Sequence, residues 1–160
     1  MEAEGGTYTP TPGTLVVEKM LELDRPGKLA GKGFYDYEDG KRVGLWPGLA
    51  EVFPVAAEQP PLQDLKDRLI FSMSIDTVNC LAEGVLRTVP DANIGSIFGI
   101  GFPPMLGGAI QAINGWEGPD GDIGPAAFVK RAEELAALYG ERFSPPALLL
   151  EKAKNGEKFA

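Results

Sequence analysis

Four carboxylates fall within one apolar-rich stretch: Asp64, Asp67, Asp76 and Glu83. Asp76 interrupts an otherwise apolar run, which makes it the candidate for a buried acid with a perturbed pKa. General acid/base chemistry of the glycosidase kind needs two carboxyls facing one bond. No second acid is spaced to make a convincing pair. A charge on a solvated edge, or one paired with Arg68 or Arg87, is the simpler account of Asp76. The second chemistry-bearing stretch is Gly99-Ile100-Gly101-Phe102-Pro103-Pro104-Met105-Leu106-Gly107-Gly108. Glycine-rich turns cradle phosphates where a strand leads into a helix. Here no Gly-Lys-Ser/Thr follows, no strand pattern precedes Gly99, and Pro104 stands where a third dinucleotide-binding Gly belongs. A tight turn between helices, with Gly107 and Gly108 permitting close approach, is the plainer reading. Trp46, Phe53, Phe102 and Trp116 are candidates to line a ligand pocket, although aromatics more often fill a core. Cys80 is most simply a small buried hydrophobe.

Composition narrows the chemistry further. None of the 160 residues is histidine, so there is no Ser-His-Asp or Cys-His nucleophile, no His base and no His metal ligand. The single cysteine forbids an internal disulfide and a Cys-based zinc cage. Fifteen basic against 23 acidic residues give a net charge of −8, which argues against nucleic acid or an anionic membrane as partner. No stretch approaches the ~20 apolar residues of a membrane helix. The start, Met-Glu-Ala-Glu-Gly-Gly, lacks the basic and apolar regions of a signal peptide, and a cytoplasmic location is expected. A hydrophobic content of 44% is enough for a packed core.

The elements that would position these residues are mostly helical. Residues 2–10 are polar and expected to fray. Thr11 is placed to cap a short helix with Pro12 in its first turn, carrying Leu15, Val16, Met20 and Leu23. Gly33-Phe34-Tyr35-Asp36-Tyr37, a Glu38-Asp39-Gly40 turn and Lys41-Arg42-Val43 predict a hairpin near residues 33–43. Residues 44–60 read as a connector whose Trp46 and Phe53 pack onto something. The strongest helix runs from Leu62 to about Glu83. Leu62, Leu65, Leu69 and Met73 step by three and four, and Ile70, Val78 and Leu81 widen the stripe, as if the helix were buried on more than one side. Gly84 is a natural stop. Further helices are expected from an Asp91 cap to Phe98, from Met105 to Ile113, from Pro125 to Tyr139 with Phe128, Ala132, Leu135 and Leu138 on one face, and from Pro145 to Asn155.

Several segments together resemble one family. They are Asp67-Arg68-Leu69-Ile70, Val78-Asn79-Cys80-Leu81-Ala82-Glu83-Gly84-Val85, Ala92-Asn93-Ile94-Gly95-Ser96-Ile97-Phe98-Gly99-Ile100-Gly101-Phe102-Pro103-Pro104 and Gly107-Gly108-Ala109. They look like the C-terminal helical region of multifunctional fatty-acid oxidation enzymes, in their 3-hydroxyacyl-CoA dehydrogenase part. The resemblance implies an all-α fold of the 6-phosphogluconate dehydrogenase C-terminal type with a short hairpin. It assigns residues 1–43 to the tail of a first helical repeat, 44–60 to a connector and 61–160 to a second repeat. The family's chemistry uses a Rossmann glycine fingerprint and a His-Glu pair, and this chain has neither. Asp67 stands where the first repeat of the family carries an active-site Asn.

The resemblance therefore implies a structural or interface role in an NAD-dependent oxidoreductase of fatty-acid β-oxidation, with the 160 residues inactive alone. It implies no catalytic, cofactor-binding or metal residue in this chain, NAD being held by the parent enzyme. The implied partners are the NAD-binding domain and the first helical repeat, with a thiolase subunit as a further candidate. Self-association is expected from the half-missing interface. Two alternatives stand beside this reading. One is a free-standing interaction subunit that assembles with a separate dehydrogenase or thiolase subunit. The other is an unrelated helical hydrolase using Asp76 and Glu83.

Overall fold

The computed structural model describes residues 10–160. The frayed stretch expected over 2–10 therefore lies, apart from Pro10, outside the described residues. The chain divides into two units, one ending at Gln59 and one spanning Pro60–Ala160. Among the described residues, seven helices and a two-stranded hairpin make up the regular structure, apart from short 3-10 turns. The architecture is all-α with a short hairpin, as expected.

In the first unit, α1 (Pro12–Glu22) begins at a reciprocal cap. Thr11 Oγ1 accepts from the Thr14 amide, and Thr14 Oγ1 accepts from the Thr11 amide, both at 3.3 Å. Strands β1 (Tyr35–Glu38) and β2 (Lys41–Leu45) pair antiparallel with Tyr35 opposite Leu45. Asp39 and Gly40 join them, both at positive φ (50° and 73°), the geometry of a tight two-residue hairpin turn. Arg25 ties the unit together. Its Nε donates to the Gly33 carbonyl at 2.8 Å, its guanidinium pairs with Asp36 and lies 4.4 Å over the Trp46 ring. Trp46 thus packs against Arg25 within this unit, and one helical turn, α2 (Leu49–Val52), follows it. Met20 is the one buried apolar side chain among the described residues of this unit.

The second unit holds α3 (Leu62–Ala82), α4 (Val89–Ile100), α5 (Ala109–Asn114), α6 (Pro125–Tyr139) and α7 (Ala147–Asn155). Phe71 of α3 stacks on Phe128 of α6 with centroids 3.8 Å apart, and Trp116 meets Phe71 edge-on at 4.6 Å. Ile75, Val78, Ile110, Ile113, Leu135 and Leu149 complete the centre of this core. On α6 the expected face holds for Phe128, Ala132 and Leu135, while Leu138 is exposed.

Helix α3 corrects the sequence reading. The leucines that set its apolar period point outward, with Leu62, Leu65 and Leu69 at 66, 40 and 68% exposure. The buried face is Asp64, Asp67, Phe71, Ser74, Ile75, Thr77 and Val78. Both sets step by three and four, so the pattern alone could not say which faces inward. The helix is therefore buried on one side only. Cys80 is half-buried, with a free thiol.

The expected Met105–Ile113 helix is also corrected. A 3-10 turn (Pro104–Leu106) ends at Gly107 and Gly108, both at positive φ, and α5 starts only at Ala109. Helix α4 is capped by Thr88, whose Oγ1 accepts from the Asp91 amide at 3.2 Å, so Asp91 is the third helical residue and not the cap.

The α4–α5 joint is closed by polar side chains from α4. Asn93 Oδ1 accepts from the Ile110 and Gln111 amides, both at 3.0 Å, and Ser96 Oγ accepts from the Ala109 amide at 3.0 Å. Three amides that α5 cannot satisfy internally are thus capped from another helix. The approach this needs is possible because Gly108 has no side chain. A Cβ there would lie 2.5 Å from Asn93 Cα.

Gly108→Ala is therefore expected to destabilise the chain by about 3 kcal/mol through overpacking. Gly95→Ala, where an added Cβ meets nothing, should stabilise it by up to about 1 kcal/mol. Urea unfolding of the two variants beside the parent measures both.

Candidate functional site

The densest polar cluster of the second unit centres on Arg131. Asp64 and Asp67 share the face of α3 that carries Phe71, three and four residues apart, and α6 presents Arg131 to them. Arg131 Nε donates to Asp67 Oδ2 at 2.8 Å, Nη2 to Asp64 Oδ1 at 2.5 Å and Nη1 to Glu134 Oε2 at 3.0 Å. Tyr139 donates its hydroxyl to Asp64 Oδ2 at 2.6 Å. Gln63 donates to the other oxygen of Asp67 at 2.7 Å, and the Arg68 guanidinium lies 4.5 Å over the Tyr139 ring. Asp67 is only 3% exposed.

The charges of the cluster reinforce each other. Asp64 is held below the ordinary value of 3.8, first by the Tyr139 hydroxyl and then by Arg131. The Tyr139 hydroxyl is held above its ordinary 10.0 by the bond to Asp64 and then by burial. Burial works against the Arg131 charge, but the bonds to Asp64, Asp67 and Glu134 outweigh it and raise its pKa. A general acid or base must give up or take a proton near the working pH. At Asp64, Tyr139 and Arg131 the cluster does the opposite: it holds each in its ordinary charge state. Its chemistry is that of a strut.

Beside the strut lies a cleft of about 390 Å³ lined by Gln63, Asp67, Arg131, Trp116, Pro119 and Ala127. Lys130 and Asp120, paired at 2.5 Å, also line it, with Glu117 and Asp122. Trp116 Nε1 is buried and finds no acceptor.

Of the residues singled out from the sequence, Asp64 and Asp67 are brought together on Arg131, and Asp67 and Trp116 line one cleft; the others lie apart. Asp76 and Glu83 are both exposed, and Asp76 is not the buried acid. The buried acids are Asp64 and Asp67, whose spacing in phase with Phe71 and Val78 was the signal that would have found them. Trp116 lines the cleft, Phe102 is buried in a separate small cluster with Ala109 and Ala112, and Trp46 and Phe53 belong to the first unit. Among the described residues no group of three His, Cys, Asp or Glu side chains is placed to hold a metal ion. No helix of the described residues is long and apolar enough to cross a membrane.

NAD does not fit the glycine-rich segment. No strand leads into Gly99, which lies inside α4, and the amides at the start of α5 are already taken by Asn93 and Ser96. Phosphates would find neither a free helix N-terminus nor room beside Gly108.

Fold and site together define a helical domain whose charged cluster is architectural. No family model matches the chain. Over 154 residues, 92% of its length, it is 39% identical to the fatty acid oxidation complex subunit alpha of Pseudomonas paraeruginosa and to that of Pseudomonas aeruginosa. Over 150 residues, 89% of its length, it is 37% identical to the same subunit of Pseudomonas putida. The chain spans about a fifth (20%) of the length of these relatives. It is a homologue of one region of the fatty acid oxidation complex alpha subunits, as the segments from Asp67 to Ala109 indicated.

The strut sets the pH range of stability. The Asp64 contribution is present above its unfolded value and is lost as pH falls through the lowered folded one. The Tyr139 contribution is present below 10.0 and is lost as pH rises through the raised folded value. Urea midpoints should therefore be flat from about pH 5 to about pH 9 and fall on both sides. Tyr139→Phe should flatten the alkaline fall and move the acid fall to higher pH, since Asp64 loses its leading support. Arg131→Met should cost roughly 3 kcal/mol at neutral pH by leaving two carboxylates facing each other unpaired.

Proposed function

We propose that this chain is a helical interface domain of an NAD-dependent 3-hydroxyacyl-CoA dehydrogenase of fatty-acid β-oxidation, acting in the cytoplasm and catalytically silent by itself. Residues 61–160 are read as its second helical repeat and residues 1–43 as the tail of the first. Hydride transfer to NAD takes place on a separate NAD-binding domain and first repeat, which this domain buttresses. The single observation that carries the reading is α3. The face opposite its buried side carries Leu62, Leu65 and Leu69, all exposed, in a helix whose inward face holds the Arg131 strut. Such a stripe is costly to leave in water and fits an apolar helix from a neighbouring repeat. The homology to alpha subunits five times longer supports the presence of such a neighbour.

Two measurements test the reading. The isolated chain, given a 3-hydroxyacyl-CoA and NAD, should produce no rise in NADH absorbance, and turnover above the blank overturns the silent role. Sedimentation should show concentration-dependent self-association that Leu65→Asp with Leu69→Asp abolishes while helical circular dichroism is kept. A chain that stays monomeric up to the highest soluble concentration defeats the interface assignment.

A further inference from the structure

The end of the chain is held by a different device from the rest of the core. Helix α7 stops at Gly156, exposed and at φ +68°, and residues 157 and 158 are exposed. Phe159 then turns inward to 7% exposure and joins the central apolar cluster. Its backbone is read by one side chain. Asn114 Nδ2 donates to the Phe159 carbonyl at 2.9 Å, and the Phe159 amide donates to Asn114 Oδ1 at 3.0 Å. Both bonds are buried and link residues 45 apart in sequence. A carboxamide that pairs with the amide and carbonyl of one residue does what a neighbouring strand does, and this is how extended peptides are recognised at a sheet edge. Main-chain bonds give the hold, and the pocket for the ring gives the selectivity.

We propose that Asn114 and the Phe159 pocket form a binding slot for an extended peptide segment bearing a phenylalanine, and that residues 157–160 are a strap filling this slot in cis. Beyond the slot, the strap is attached by the helix-ending bond from the Glu157 amide to the Lys152 carbonyl and by the exposed Lys152–Glu157 pair. It opens at Gly156 without unfolding of α6 or α7, and a partner segment of the same chemistry competes with it. Tethering keeps the strap in place by raising its effective concentration over a free competitor.

The test uses the full chain carrying Phe159→Ala, whose slot is intact and whose strap has lost its anchor, titrated with the pentapeptide Gly-Glu-Lys-Phe-Ala. The Asn114 side-chain amide resonances are expected to shift saturably at millimolar peptide, and Gly-Glu-Lys-Ala-Ala is expected to leave them unmoved. No shift with the Phe peptide, or equal shifts with both, overturns the slot. Hydrogen exchange on the unaltered chain keeps the proposal open to refutation should Phe159→Ala fail to fold. The Phe159 amide should exchange at least tenfold faster than the Leu135 amide, through local opening. Equal rates for the two amides would mean that the segment opens only with the whole core, and the strap would be refuted.

Discussion

One guanidinium sets the terms for the second unit. Arg131 reaches from α6 to two carboxylates on α3 and to Glu134 on its own helix, and Asp64 is shared with Tyr139 at the end of α6. Burying three charges next to a phenylalanine stack is unfavourable unless each lone pair and proton is answered. Here all three guanidinium nitrogens and both oxygens of each α3 carboxylate have a partner, and this fixed geometry favours one register for α3 on α6. Phe71 and Phe128, one turn further along, stack because that register is fixed. The strut thus does for orientation what apolar packing, which is non-directional, does not.

The joint between α4 and α5 follows the same logic with neutral groups. Helix α5 is six residues long, too short to persist through its own hydrogen bonds. It exists because Asn93 and Ser96 supply the acceptors for its first amides and because a glycine lets α4 come close enough to supply them. At its other end Asn114 faces Phe159. The shortest helix of this unit is therefore the one most completely defined by side chains outside it.

Much of this organisation was legible in the sequence, and the misses have a common cause. The Thr11 cap, the hairpin and the full extent of α6 could be read because local residues decide them: a threonine before proline, an Asp-Gly turn, an uninterrupted period between Pro125 and Tyr139. The misread features depend on distant residues. Leu62, Leu65 and Leu69 carry a proper apolar period, yet the side that turned inward was chosen by Arg131, more than sixty residues away. Asp76 lies exposed, as its simpler account had it, whereas the burial of Asp64 and Asp67 went unread because the cation that awaits them is on α6. The helix expected to start at Met105 starts at Ala109, since the caps for its amides sit on α4. The segments from Asp67 to Gly108 that carried the family resemblance also contain Asn93, Ser96 and Asp67 itself, residues whose roles no local rule reveals.

If this chain is the second repeat of the proposed reading, the strut also bears on how a repeat loses a function. At position 67, where the proposed reading places an asparagine in the first repeat, this chain has an aspartate bound to Arg131. A neutral amide there would leave the arginine short of charge and Asp64 overburdened with it. Once such a pair has formed, a single reversion is penalised by folding before it can be rewarded by catalysis. On the proposed reading, the ion pair would work as an evolutionary ratchet: a position given up by chemistry would be taken over by architecture, and a return would require Asp67 and Arg131 to change together.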